Sequence, residues 1–338
     1  MGGKILEFSA DKYYNEGRGE GLKEGIQKGR VQGEEKLAKL MSQLIKDGKN
    51  GQLPTTLIKK YLDDGHSNYI ANSWLTGSAP ENNPQDISDG PSRTAVERVG
   101  KQYRAAREKY PEYDVPYLEV GNTAYISFRA FRIMHRNGAE YYGELTEDDM
   151  EMDTIALIIH AHKQITRENS PIENVVLDLS ENTGGQAAAA AFVMSWFLGE
   201  APFSVTSPAT GAMSTVVCRA DVNLDHEFND LDTVSDRNLY CLISPVSFSS
   251  GNLVPCAFKA SGMVTLLGDT SGGGSCTLRC LSSAWGSMFY ISGTKRIAFV
   301  KNGSFYDVDR GADPDVFLTK KESFYDRKRL TEYINSLA

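Results

Sequence analysis

Residues 239–276 read LYCLISPVSFSSGNLVPCAFKASGMVTLLGDTSGGGSC. The stretch opens on an apolar run of strand length, residues 239–243. It passes through a small-residue turn, residues 245–251, that carries Ser247, Ser249 and Ser250. Helical composition follows over residues 252–261. A second apolar run, residues 263–268, then opens onto the Gly-rich residues 270–274. Strand, sharp serine-bearing turn, helix, strand and glycine loop is a layout that exposes a nucleophile at a helix N-terminus. The free backbone N–H groups and the helix dipole there favour developing negative charge. The same layout also describes an ordinary βαβ unit with a serine-rich turn.

Upstream, residues 154–167 have helical periodicity, and residues 171–179 contain VVLDL, a β-branched run suited to a buried parallel strand. That run opens onto residues 180–185 and then the Ala-rich helix of residues 186–198. Repetition of helix, strand, glycine loop and helix predicts an α/β core with mostly parallel strands. Ligand sites in such cores lie at the C-terminal ends of the strands. The loops 182–185 and 271–274 and the turn 247–250 all fall at such ends. Residues 117–131 read as a hairpin turning at Gly121-Asn122, residues 94–110 as a charged helix stopped by Pro111, and residues 327–337 as a closing helix. Beyond Val205 the chain becomes richer in strand, with short strands over 214–220, 288–292, 296–301, 303–308 and 315–318.

The chain has 338 residues, 41% hydrophobic and 24% charged, with a formal net charge of −8. This is the balance of a globular protein, and its acidity argues against nucleic acid as the main partner. No run of 18 apolar residues is present, so no membrane span is expected, and the N-terminus lacks the shape of a signal peptide. As written, the chain reads as cytoplasmic; an extracytoplasmic location follows if the N-terminus is not native. Five cysteines without a CxxC pair read as reduced, mostly buried thiols. Residues 1–50 include glycines at positions 17, 21, 25, 29 and 33. They are expected to form a charged helical appendage in which a glycine stripe permits self-association. Residues 51–115 are expected to form a helical cap and linker, and residues 116–338 the α/β core.

A serine nucleophile needs a base. Of five histidines, His135 has no informative neighbours, His160 and His162 point to different helix faces, and His226 lies in an acidic loop. His66 closes a helix in DDGHS, where a side chain can be aimed at a cleft. Separately, residues 221–232, DVNLDHEFNDLD, place Asp221, Asn223, Asp225 and Asp232 at positions 1, 3, 5 and 12, with the Glu227 carbonyl at position 7. This is the spacing of an EF-hand-like or dockerin-like calcium loop, with His226 replacing the usual glycine and Asp replacing the terminal Glu. The loop reads either as a structural calcium site or as an acidic surface turn, and catalysis is expected to need no cofactor.

Five motifs in order carry a family resemblance: LDDGHS (62–67), VVLDLSENTGG (175–185), SFSSGN (247–252), LLGDTSGGG (266–274) and GADPDV (311–316). The chain resembles the carboxyl-terminal-processing (tail-specific) serine proteases and the tricorn core protease. The resemblance implies a crotonase-like mixed sheet and hydrolysis of a polypeptide substrate through an acyl-enzyme. It implies Ser249 as nucleophile, with Asn252 standing where the family carries an acid. The lysine of the family's Ser–Lys members would fall near Gly273, and no lysine lies between Lys259 and Lys295. The Ser–His style of the tricorn branch is therefore favoured, with His66 as general base and Asp309 as orienting acid, Asp307 being also available. Backbone N–H groups of Gly184 or Gly185 and of Ser250 are implied as the oxyanion hole. A non-catalytic binding or scaffold protein of the same fold is the alternative. Residues 1–50 resemble the charged Gly-repeat tail of transposase-like nucleases, with no nuclease activity implied.

Overall fold

The computed structural model describes residues 5–11, 68–70, 87–89, 91–134, 138–206, 213–274, 276–282, 288–301, 304–306 and 308–337. In chain order the elements are β1 (Leu6–Asp11), β2 (Asn68–Ile70), β3 (Ile87–Asp89), α1 (Pro91–Arg107), β4 (Tyr117–Val120) and β5 (Thr123–Ser127). Then come α2 (Glu147–Met152), α3 (Thr154–Ile165), β6 (Asn174–Asp178), α4 (Ala187–Leu198), β7 (Ala201–Thr206), β8 (Met213–Ala220) and β9 (Asn238–Ile243). The last part holds α5 (Ser250–Ser261), β10 (Val264–Gly268), β11 (Cys276–Ser282), β12 (Met288–Lys301), β13 (Ser304–Tyr306), β14 (Val316–Phe317) and α6 (Arg327–Asn335).

Six strands form one mixed sheet in the order β14-β10-β9-β6-β5-β4. All neighbours are parallel except the β4–β5 hairpin, which turns at Gly121-Asn122 as its sequence dictates. The period-2 alternation of a strand then distributes side chains to two cores. On one face Ala124, Ile126, Val175, Leu177, Cys241 and Leu266 pack with α3, α4 and α5. On the other, Tyr125, Val176, Tyr240, Leu242 and Leu267 pack against α1, α6 and Phe324-Tyr325. Each fully buried Val, Leu or Ile contributes about 1.5–3 kcal/mol. The helix α4 is apolar all round and buried from Ala189 through Phe197, as such a helix must be. Its one interior polar side chain, Ser195, donates within the helix to the Ala191 carbonyl at 2.9 Å.

The second sheet is antiparallel, with β1-β8-β7-β12-β2-β3 in line and β11 and β13 added on β12. Two expected boundaries change here. Residues 6–11 are not helical: β1 pairs with β8 in register from Leu6↔Ala220 to Asp11↔Thr215, so this segment belongs to the second sheet. The helix α1 is no part of a separate cap, because Tyr103 and Ala106 are buried in the second core. The two short strands expected over 288–301 are one strand of 14 residues. Gly293 reads as a break in sequence, yet it is where β11 comes close: a Cβ there would stand 2.7 Å from the Thr277 carbonyl oxygen. The Gly-repeat segment and the helix expected to close at His66 lie outside the described residues.

Candidate active site

The strand β9 ends at Ile243 and the chain turns through residues 244–249 into α5. Ser249 stands at the N-cap with φ 56° and ψ −120°, a left-handed backbone that a non-glycine residue adopts only at a cost. The turn is held from three sides. Phe248 N–H donates to the Asn182 carbonyl at 3.1 Å, Ser249 N–H to the Gly273 carbonyl at 2.9 Å, and Gly272 N–H to the Ser247 carbonyl at 2.8 Å. Ser247 is buried and fastens the turn to β6: its hydroxyl donates to the Leu179 carbonyl at 2.7 Å and accepts from Ser244 N–H at 2.9 Å. Ser250 donates its hydroxyl to the Gly185 carbonyl at 2.9 Å. Of the three serines, Ser249 alone is left with a hydroxyl that has no hydrogen-bond partner among the described residues, and it is half-buried.

The glycine loop after β6 lies against this turn. At Gly184 (φ +102°) a Cβ would stand 2.7 Å from both Ser249 Cβ and the Phe248 carbonyl oxygen. At Gly185 (φ +137°) it would stand 2.2 Å from the Phe131 carbonyl oxygen. Asn182 is the clamp, and sequence reading passed over it. Its Nδ2 donates to the Phe128 carbonyl at 3.0 Å and its Oδ1 accepts from Gly184 N–H at 2.9 Å. That bond corrects the expectation for Gly184, whose N–H is already committed. The N–H groups of Gly185 and Ser250 donate to no described residue. A Gly184→Ala substitution is expected to push the Ser249 turn aside and to lower kcat/KM about 100-fold with the fold retained. Steady-state kinetics alongside circular dichroism checks this.

At Gly273 (φ +81°) a Cβ would stand 2.0 Å from the Asp309 carbonyl oxygen, so this position leaves no room for the side chain of a lysine. Asp309 itself lies across Gly273 from Ser249, and its carboxylate is paired with Arg296 at 2.9 Å. Asn252 bridges three segments: Nδ2 donates to the Val308 carbonyl at 2.7 Å and Oδ1 accepts from Ser271 Oγ at 2.7 Å. An ionised acid there could accept from Ser271 but could not donate to Val308, which gives the amide its physical reason. Such a bridging role could have been suspected from an amide in place of an acid beside a serine-bearing glycine loop.

Beneath the glycine loop sits a buried ionic cluster that no sequence motif announced. Asp178 on β6 meets Arg107 Nη2 at 3.0 Å and also pairs with Arg327 Nη2. It accepts from Ser180 Oγ at 2.6 Å, and Arg107 Nε reaches Glu181 at 2.5 Å. Burial pushes the Asp178 carboxyl up, but the two guanidinium groups and Ser180 outweigh it and bring it down to about 2.

His66 and Asp307 lie outside the described residues. None of the histidines that are described reaches Ser249 by a hydrogen bond. Buried His162 accepts from Trp196 Nε1 at 3.2 Å, and burial lowers it to about 4. His160 meets Tyr117 edge-on, and His226 stacks on Tyr142 with ring centroids 4.3 Å apart. Among the described residues no group of three or more His, Cys, Asp or Glu side chains is gathered to hold a metal ion. Within residues 221–232 the carboxylates are turned onto the loop's own N–H groups. No helix among the described residues is long and apolar enough to cross a membrane.

No curated protein sequence matches the chain. Among solved structures, a Parabacteroides merdae protein described as a candidate peptidase is similar over 90% of this chain and 88% of its own, with 16% identity and a TM-score of 0.56. That likeness shows the fold. The photosystem II D1 C-terminal processing protease matches over 61% of this chain and 46% of its own, with 17% identity and a TM-score of 0.42. The tricorn protease matches over 75% of this chain and 20% of its own, with 16% identity and a TM-score of 0.37. The chain thus spans less than half the length of these two proteases. The profile of peptidase family S41 matches residues 122–316, a span that runs from the β4–β5 turn to β14, takes in the Ser249 turn and its glycine loops, and makes up more than half of the chain. The chain belongs to peptidase family S41.

Proposed function

We propose that the protein is a serine peptidase that cleaves polypeptides through an acyl-enzyme at Ser249. The observation that carries this reading is the state of Ser249: a strained, half-buried serine at the N-terminus of α5, with its hydroxyl uncommitted and the open N–H groups of Gly185 and Ser250 on the two segments that meet it. Strain of this kind is retained where surroundings over-determine it, and nucleophile turns are such places.

In the reaction, Ser249 Oγ attacks the scissile carbonyl and its proton passes to a base. His66 is assigned that role from its LDDGHS setting. The carbonyl oxygen becomes an oxyanion held by Gly185 N–H and Ser250 N–H, the second aided by the α5 dipole. Collapse breaks the C–N bond, the base returns its proton to the departing amine, and water then releases the acid from Ser249 by the same path. Asp309, beside Gly273, is the candidate for orienting the base. In this reading its carboxylate leaves Arg296 on substrate binding or serves while shared with it.

A fluorophosphonate probe tests the assignment. The expected result is one covalent adduct on the peptide that contains Ser249, with labelling abolished by prior denaturation and slowed in His66→Ala. A folded protein that takes no label at Ser249 sinks the reading and favours a binding role for the same fold.

A further inference from the structure

We propose that the loop between β8 and β9, residues 221–232, is a calcium site. The sequence spacing is one observation. A second comes from the structure: Asp221 is fully buried, and its Oδ1 has no hydrogen-bond partner among the described residues. Buried carboxylate oxygens are otherwise paired, and leaving one bare is costly. The other oxygen, Oδ2, accepts from His226 N–H at 3.0 Å, so the carboxylate is turned into the loop, and it also takes the Tyr142 hydroxyl. Oδ2 is therefore saturated, and Oδ1 is the oxygen left for a ligand.

The remaining donors can be followed lone pair by lone pair. Asp232 Oδ1 takes two N–H groups, from Val222 at 2.6 Å and Asn223 at 3.2 Å, and is full. Among the described residues its Oδ2 takes only Asn229 N–H, at 2.9 Å, and keeps one lone pair. An Asp giving one oxygen thus fits where the bidentate Glu of an EF-hand would stand. Asn223 Oδ1 takes, among the described residues, only Asp225 N–H at 3.0 Å. Asp225 Oδ1 takes Glu227 N–H at 2.8 Å, while its Oδ2 is held by Asn223 Nδ2 at 2.8 Å. This last bond holds Asp225 on the amide, and no ready-made cluster of three appears among the described residues. A cation would draw Asp225 off the amide and complete an all-oxygen set with the Glu227 carbonyl. Hard oxygen donors, mixed carboxylate, amide and carbonyl, suit calcium rather than zinc. The loop has five acidic residues and no Lys or Arg to neutralise them. Its backbone is left-handed at Leu224 (φ 66°) and His226 (φ 69°), so the chain already makes the tight turns that bring alternate side chains inward. Bound there, calcium would brace the segment that delivers the chain to β9 and so to the Ser249 turn.

Terbium(III) is the direct probe, because the Tyr142 hydroxyl bonds to a ligand carboxylate and its ring can sensitise a neighbouring lanthanide. The full chain, stripped of metal with chelator, should show tyrosine-excited terbium emission that calcium displaces. Its melting temperature should rise by about 5 °C when calcium reaches roughly 100 times its Kd. Asp225 is exposed, so Asp225→Ala is expected to fold, and it should weaken calcium binding at least tenfold. Asn223→Ala is the second variant and should weaken it likewise. Absence of both emission and melting shift in the parent chain overturns the proposal. Emission and shift unchanged in both variants overturn it as well, and an equal rise with magnesium overturns the choice of calcium.

Discussion

Ser249→Ala is expected to abolish hydrolysis, with kcat falling by about a million-fold, while the melting temperature hardly moves. The size of the loss follows from the role: removing a catalytic serine leaves only what the oxyanion donors and binding supply. The unchanged stability follows from the geometry. The Ser249 hydroxyl bonds to no described residue, so deleting it removes no native hydrogen bond, and alanine bears the same left-handed backbone strain as serine. Ser249→Gly separates the two properties. Glycine populates φ near +56° without a Cβ penalty, so this variant should be as inactive as the alanine one. It should also be more stable by about 1 kcal/mol, near the cost of a left-handed L-residue less the entropy that glycine loses on folding. Active-site kinetics and thermal melts of the three proteins measure both. If Ser249→Gly is no more stable than wild type, the turn is not strained as described.

Asp178→Ala is the second large effect, and it falls on stability. Asp178 is 1% exposed and Arg327 is 1% exposed, so removing the carboxylate strands a guanidinium with nowhere to be solvated. Breaking a buried pair in this way costs about 3–5 kcal/mol. Arg107 fares better, because Glu181 at 2.5 Å and Asp114 at 3.3 Å remain. Arg327 keeps the Phe324 carbonyl at 2.8 Å and the faces of the Tyr125 and Tyr325 rings, but no carboxylate among the described residues. The pH dependence has the same origin. The folded carboxyl is lowered to about 2, so its contribution is fully present above the ordinary aspartate value and is lost as the pH falls through about 2. Urea melts at neutral pH, and their acid limb, should show the wild type losing an increment that Asp178→Ala has already lost. Equal stability of the two proteins at pH 7 contradicts the account.

How much of this could be read from residues alone follows from how far apart the interacting groups are along the chain. The strands β6, β9 and β10 and helix α4 were legible because each is announced by its own run of β-branched or apolar side chains. The β4–β5 turn was legible because Gly-Asn specifies it locally. The serine turn and the two glycine loops stood out for the same reason, since their conformations demand small residues at fixed positions. By contrast Asp178 bonds to Arg107 and Arg327, which are 71 and 149 residues away, and no local pattern marks such a cluster. Nor does composition show that Gly184 spends its N–H on Asn182 while Gly185 does not; only the paired loops decide it. The strand β1 was masked by the charged Gly-rich sequence that follows it. Its partner β8 is more than two hundred residues on, and pairing with it overrode the helical reading.

The meeting of Phe248 with Asn182, Ser249 with Gly273 and Asn252 with Ser271 makes the proposed cleavage conditional on completed folding. The nucleophile sits on one loop, the oxyanion donor on another, and the hydrogen bond that fixes the serine backbone comes from a third. These loops become neighbours only when β6, β9 and β10 are aligned in one sheet. A ribosome-bound chain that has emerged only as far as α5 carries every atom of the serine turn but not the carbonyl that holds it. Such a chain holds its serine turn unbraced, and the proposed chemistry begins when its own sheet closes.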